Sequence, residues 1–241
     1  LISERAQRIL LCWGLTFTLI YGLAWWRLFH MMPPPSAKLP PDQIANFYRT
    51  HSGEIKVGAV IASWTSGFMV PIAVVVGVQI SRHEKGRPVW STLAIAGGSL
   101  MSVVLVLPPI FWGVAAFTPD RSPDITAIMH ELAMLTFVTT DQYYIFMWVA
   151  IAVICLIPNK VLYTPFPRWF GYYTAWTAVM FEPGALAFLF RSGPFSWTGL
   201  LAFWSPVVTF FAWIVVMAVL LFKAISKQEQ QPDVDAEAAL L

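Results

Sequence analysis

VWSTLAIAGGSLMSVVLVLPPIFWGVAAF, residues 89–117, decides the fold class. The stretch carries no Asp, Glu, Lys or Arg, and its apolar residues do not alternate with polar ones. A hydrocarbon core about 30 Å thick needs roughly 20 apolar residues rising 1.5 Å each. Residues 89–117 exceed that need. A barrel strand would instead alternate over about ten residues.

Working outward, comparable runs lie at 9–29, 57–80, 126–157, 169–190 and 199–222. The expected fold is an all-α, polytopic transmembrane helical bundle of about six spans, forming one domain over residues 1–227. Composition agrees. Only 12% of the 241 residues are charged, 58% are hydrophobic, and the mean hydropathy is +0.66. Soluble domains carry about 25% charged residues, so too little polar surface remains to cover a water-soluble globule. The first run is too long for a signal-peptide core and no small-residue cleavage site follows it, so it reads as a retained helix. The polar tail 228–241 is expected to be disordered and cytoplasmic.

Basic residues set the orientation. Arg5, Arg8, Arg82, Lys85, Arg87, Lys160, Arg168, Lys223 and Lys227 fall on one side of the six-span scheme. Arg27, Lys38, Arg49, Lys56, Arg121 and Arg191 fall on the other. The richer side is cytoplasmic by the positive-inside rule, which puts both termini there. Cys12 and Cys155 fall in spans, near the cytoplasmic end, and read as reduced packing residues. The longest outer connection, 31–56, opens with Pro33-Pro34-Pro35, which is expected to be extended. Asp42 can cap a short helix reaching about His51. Ile44, Phe47 and Tyr48 recur on one face of it, so this helix is expected to lie on the membrane surface.

Prolines punctuate the spans at Pro71, Pro108, Pro109, Pro183 and Pro206. Ordinary helix curvature accounts for them; hinges or a ligand cavity are the other reading. Trp25, Trp26, Trp64, Trp90, Trp112, Trp169, Trp197 and Trp204 lie near span ends as interfacial anchors. Gly97, Gly98, Ser99 and Ser102 permit close helix approach.

Few groups inside the spans carry chemistry. Glu131, Asp141, Gln142 and Glu182 are the polar intramembrane candidates, and no catalytic residue is identified. On an unbroken helix Glu131 and Gln142 would fall within about 20° of one face, with Asp141 about 80° away. Three readings follow: structural hydrogen bonding between helices, a polar pocket or proton-coupled path, or a metal held by His130 with His30 or His51. The set contains neither a HExxH nor a paired ExxH spacing. A haem bundle needs two facing histidines within the membrane, whereas His30, His51, His83 and His130 all sit at span ends. Bound lipid, quinone or carotenoid is compatible with this composition. The net charge of +2 and the scattered basic residues give no reason to expect a nucleic-acid partner.

Asn46-Phe47-Tyr48-Arg49, Phe166-Pro167-Arg168-Trp169-Phe170-Gly171 and Gly193-Pro194-Phe195-Ser196-Trp197 sit at span boundaries. On these motifs, residues 45–222 resemble a family of uncharacterised bacterial inner-membrane proteins, known only as a domain of unknown function. The resemblance implies a multi-span protein of the bacterial inner membrane and carries over no activity. The leading expectation for function is a non-catalytic subunit that packs against lipids and other integral membrane proteins in a larger complex. The alternatives are a small-solute or proton-coupled transporter using Asp141 and Glu182, and a membrane enzyme acting on an apolar substrate with His130 and Glu131 at its mouth.

Overall fold

The computed structural model describes residues 2–140, 142–158 and 161–230, with the backbone alone at residues 142, 144 and 230. Among these residues the regular structure is helical: α1 (Glu4–Arg27), α2 (Pro41–Thr65), α3 (Met69–Ser81), α4 (Val89–Phe117), α5 (Pro123–Thr139), α6 (Gln142–Leu156), α7 (Arg168–Phe181) and α8 (Ser205–Gln230). Four helical stretches are long and apolar enough to cross a membrane: Glu4–Arg27, Pro41–Ser81, Val89–Phe117 and Leu200–Glu229. The chain is a multi-pass helical membrane protein.

Three expectations about element boundaries change. Residues 42–51 are helical, but they are the opening turns of α2 and not a separate surface helix. Nothing in Ser52-Gly53-Glu54-Ile55 stops the helix, so it runs on to Thr65, tightens to a 3-10 turn at Ser66–Phe68 and resumes as α3. The fourth apolar run divides, because α5 ends at Thr139 and α6 starts at Gln142. Here Thr139 and Thr140 donate their hydroxyls back to the Leu135 and Thr136 carbonyls. Such bonds compete with the helical backbone, and β-branched residues crowd the preceding turn. The fifth run is α-helical only to Phe181 and then becomes a 3-10 segment, Glu182–Phe188, beginning at the residue before Pro183. Likewise a π-helical turn, Leu200–Trp204, precedes Pro206.

α4 is the hub and packs against α2, α3, α5 and α6. Gly97 and Gly98 bring its backbone close to its neighbours: a Cβ at Gly98 would meet the Ala73 Cβ at 2.2 Å, and one at Gly97 the Met147 backbone nitrogen at 2.7 Å. Their role as contact points for neighbouring helices follows from this geometry.

The prolines of α4 raise an accounting question. Pro109 has no N–H, so the Leu105 carbonyl loses its helical donor. The Tyr21 hydroxyl of α1 donates to that carbonyl at 2.6 Å, in a buried site. Tyr21→Phe is therefore expected to destabilise the fold by about 1–2 kcal/mol, since it strands a buried acceptor. In a Pro109→Ala background, where an N–H returns, the same change is expected to cost under about 0.5 kcal/mol. Unfolding titrations in detergent micelles, run as a double-mutant cycle, measure both. Equal costs in the two backgrounds would refute the assignment.

The connections gather at two ends. At one, the buried Gln79 amide donates to Gln7 and Gln228 and accepts from Gln228 and Arg82, joining α1, α3 and α8. Arg8 pairs with Glu229 at 2.6 Å, so the two ends of the described chain meet on one side. In the adjoining loop His83 contacts the Thr164 hydroxyl at 2.9 Å. Burial, helped by the neighbouring Arg82 charge, pushes its pKa down to about 4. Glu84 accepts the Trp90 and Ser91 amides and so caps α4. At the other end Arg49 donates to the Pro119 carbonyl and Ser52 to that of Ala116. Cys12 is exposed, Cys155 is buried, and both are free thiols.

Candidate functional site

Helices must close their own backbone hydrogen bonds in lipid, so irregular backbone there marks places where protein or a cavity supplies partners. The irregular segments converge. The 3-10 segment Glu182–Phe188 packs against α5 and against the π-turn Leu200–Trp204. Beside the π-turn, and next to the start of the 3-10 segment at Phe181, the side chains of Tyr21, Trp25, Phe68, Phe137, Phe181 and Phe203 line an apolar chamber of about 50 Å³. Trp25 packs its ring 4.7 Å from Phe137 and 5.7 Å from Phe203. The chamber shares Thr18, Gly22 and Phe211 with a second, more open space. This is an apolar groove of about 380 Å³ between α1 and α8, lined also by Leu19, Trp26 and Val215. Val215 and Leu19 are largely exposed, so the groove opens sideways toward lipid. At its rim the Arg27 guanidinium lies 4.4 Å from the Trp26 ring centroid.

A polar vestibule of about 380 Å³ lies at the end opposite the paired termini. His130 forms its inner wall. The ring is buried, and its Nδ1 is hydrogen-bonded to the Tyr48 hydroxyl at 2.8 Å. Glu131 sits beside it and reaches Arg191 at 3.8 Å. Both side chains are substantially exposed, so this pair contributes little to stability. Trp197 lies over His130, with ring centroids 6.0 Å apart, and donates its indole N–H to the Pro35 carbonyl at 2.9 Å. Two of the three boundary motifs, around Tyr48 and Trp197, thus meet at His130.

A third cluster lies at the junction of α1 and α2. His30 Nε2 and His51 Nδ1 both contact Glu54 Oε2, the latter at 3.3 Å. The two imidazole centroids are 4.2 Å apart.

The sequence candidates are therefore scattered. Glu131 lines the vestibule, while Glu182 is exposed and lines none of these spaces. Asp141 and the Gln142 side chain lie outside the described residues. The shared face computed for Glu131 and Gln142 presumed one unbroken helix, and the break between α5 and α6 removes that premise. His130 belongs to the Tyr48 contact and is not one of the two histidines that gather at Glu54. The groove went unread because Gly22 and Phe211 are ordinary residues of apolar runs, and only helix packing sets them side by side.

No protein-family model, curated protein or solved structure matches the chain. The resemblance to the inner-membrane family thus stands on the three short motifs alone.

Proposed function

We propose that this chain is a non-catalytic, six-crossing subunit of a bacterial inner-membrane assembly, and that its work is to hold an apolar chain-bearing molecule. The observation that carries the reading is the groove between α1 and α8, which adjoins the aromatic chamber and shares Thr18, Gly22 and Phe211 with it. Burial of methylenes contributes about 0.8 kcal/mol each. A lipid already dissolved in hydrocarbon gains little from that term, so shape and ring contacts must select the occupant. The groove suits an acyl or isoprenoid chain, and Arg27 above Trp26 offers a cation to a polar or anionic head. The alternation of connections between two ends supports six crossings. The meeting of Arg8 with Glu229 supports termini on one side, and the distribution of Lys and Arg makes that side cytoplasmic.

The transporter reading has less behind it. Glu182 is exposed, and the described residues that line the chamber offer no chain of polar groups for a solute or proton to follow.

Native mass spectrometry tests the proposal after mild extraction. Wild-type chain is expected to retain one lipid-class molecule and to leave the membrane with partner subunits. Gly22→Trp places an indole where even a Cβ lies 3.5 Å from the Phe211 ring. It is expected to lower ligand retention about tenfold, or 1.4 kcal/mol, while size-exclusion profiles stay intact. Equal retention overturns the ligand reading. A solitary chain after gentle extraction overturns the subunit reading.

A further inference from the structure

We infer that His30, His51 and Glu54 form a binding site for one divalent transition-metal ion of the zinc class, at the outer junction of α1 and α2. The site is independent of the groove.

The ligand chemistry comes first. Two imidazole nitrogens and one carboxylate oxygen converge within 4.8 Å of one another. Imidazole favours zinc and its first-row neighbours, whereas magnesium and calcium prefer all-oxygen sites. Zinc bonds of 2.0–2.2 Å in a tetrahedron place neighbouring ligand atoms about 3.3 Å apart. His51 Nδ1 and Glu54 Oε2 stand at 3.3 Å. His30 Nε2 lies closer to the same oxygen, so the carboxylate needs only a short outward step to admit the ion. Glu54 has room for it, with a side chain 55% exposed. Three protein ligands leave a fourth position for water, as in open zinc sites.

Two backbone features set up this convergence. His51 and Glu54 are three residues apart on α2 and share one face. His30 comes from the terminus of α1, held with φ +55° while the Met31 amide reaches back to the Trp25 carbonyl. Glycine takes that left-handed conformation without strain, and a residue with a Cβ costs about 1–2 kcal/mol more. The strained position thus carries an imidazole that the backbone turn itself does not require. The ring pair is a further observation. The two imidazoles lie with centroids 4.2 Å apart and planes tilted by 34°, close enough for one dication to take a lone pair from each.

The test uses the full chain, purified in detergent on a tag without histidine and stripped with a chelator. Titration with Co²⁺ is followed by its visible absorption, then displaced with Zn²⁺. We expect one ion per chain and a spectrum of tetrahedral intensity. Removing even an outer partner of a metal ligand commonly lowers affinity 10–100-fold, so His30→Ala and His51→Ala are each expected to lower it at least about 100-fold. Glu54→Gln keeps the side-chain shape but removes the anionic ligand, and is expected to lower affinity by at least about tenfold. It decides the matter if the histidine variants fail to fold. His83→Gln, in the loop at the opposite end, is expected to bind like wild type. Absence of stoichiometric Co²⁺ binding overturns the inference, as does wild-type affinity in Glu54→Gln.

Discussion

Replacing Gly98 with leucine is expected to cost at least about 3 kcal/mol and to leave little folded monomer after extraction. A Cβ built at Gly98 lies 2.2 Å from the Ala73 Cβ, 3.3 Å from the Met147 sulfur and 3.5 Å from the Ala73 Cα. The sulfur can turn aside. The alanine cannot, because its Cβ is fixed to the backbone of α3. Relief requires α3 and α4 to separate, and that opens the contact on which α4 organises the other helices. Fluorescence-detected size exclusion and an unfolding titration in micelles measure the loss. Gly53→Ala is the contrast. Beyond the helix's own nearby backbone, no described atom lies within 4 Å of a Cβ there, and the position is inside α2. It is expected to stabilise the helix by about 0.5–1 kcal/mol. Similar outcomes for the two sites would show that helix separation is not what Gly98 protects.

Truncating Trp112 to alanine is expected to cost about 3–5 kcal/mol. Trp112 is fully buried on α4, with its ring 5.1 Å from Phe29 and 6.3 Å from Trp25. It stands behind Trp25, which walls the chamber, so its loss leaves a void that the surrounding aromatics fill only partly. The indole N–H has no hydrogen-bond partner among the described residues. Trp112→Phe removes that unsatisfied donor along with some volume, and is expected to cost under about 1.5 kcal/mol. A phenylalanine variant as unstable as the alanine one would mean that the N–H is bonded in the membrane.

The helices of this protein are written plainly in its sequence; their interruptions are not. Residues 89–117 lack charges, and hydrocarbon accepts such a run in one form. Thr139-Thr140-Asp141-Gln142 is a polar interruption too short to show in a long sliding average, and threonine hydroxyls take over backbone partners there, so the average sees one helix where two exist. Pro71, Pro183 and Pro206 were visible as bends, yet the 3-10 and π turns beside them depend on which neighbour receives the released carbonyl. Tyr21 and Leu105 are eighty-four positions apart. The His51–Glu54 spacing can be read directly on α2. His30 joins it only because α1 terminates where the loop turns back, and no local pattern announces that. Glu182 ran the other way: its place in an apolar run made it a candidate for the interior, and the unwinding at Pro183 leaves it exposed.

The meeting of Gln7, Gln79 and Gln228 carries one more implication. Amides have dipoles and no net charge, so the transmembrane voltage exerts no net force on the three of them, whereas each elementary charge crossing the field would feel about 2.3 kcal/mol per 100 mV. Dissolved salt has no charge among them to screen. These three amide contacts between α1, α3 and α8 therefore hold alike in an energised cell, a depolarised one and a detergent micelle, whereas the Arg8–Glu229 pair beside them is the part that salt weakens.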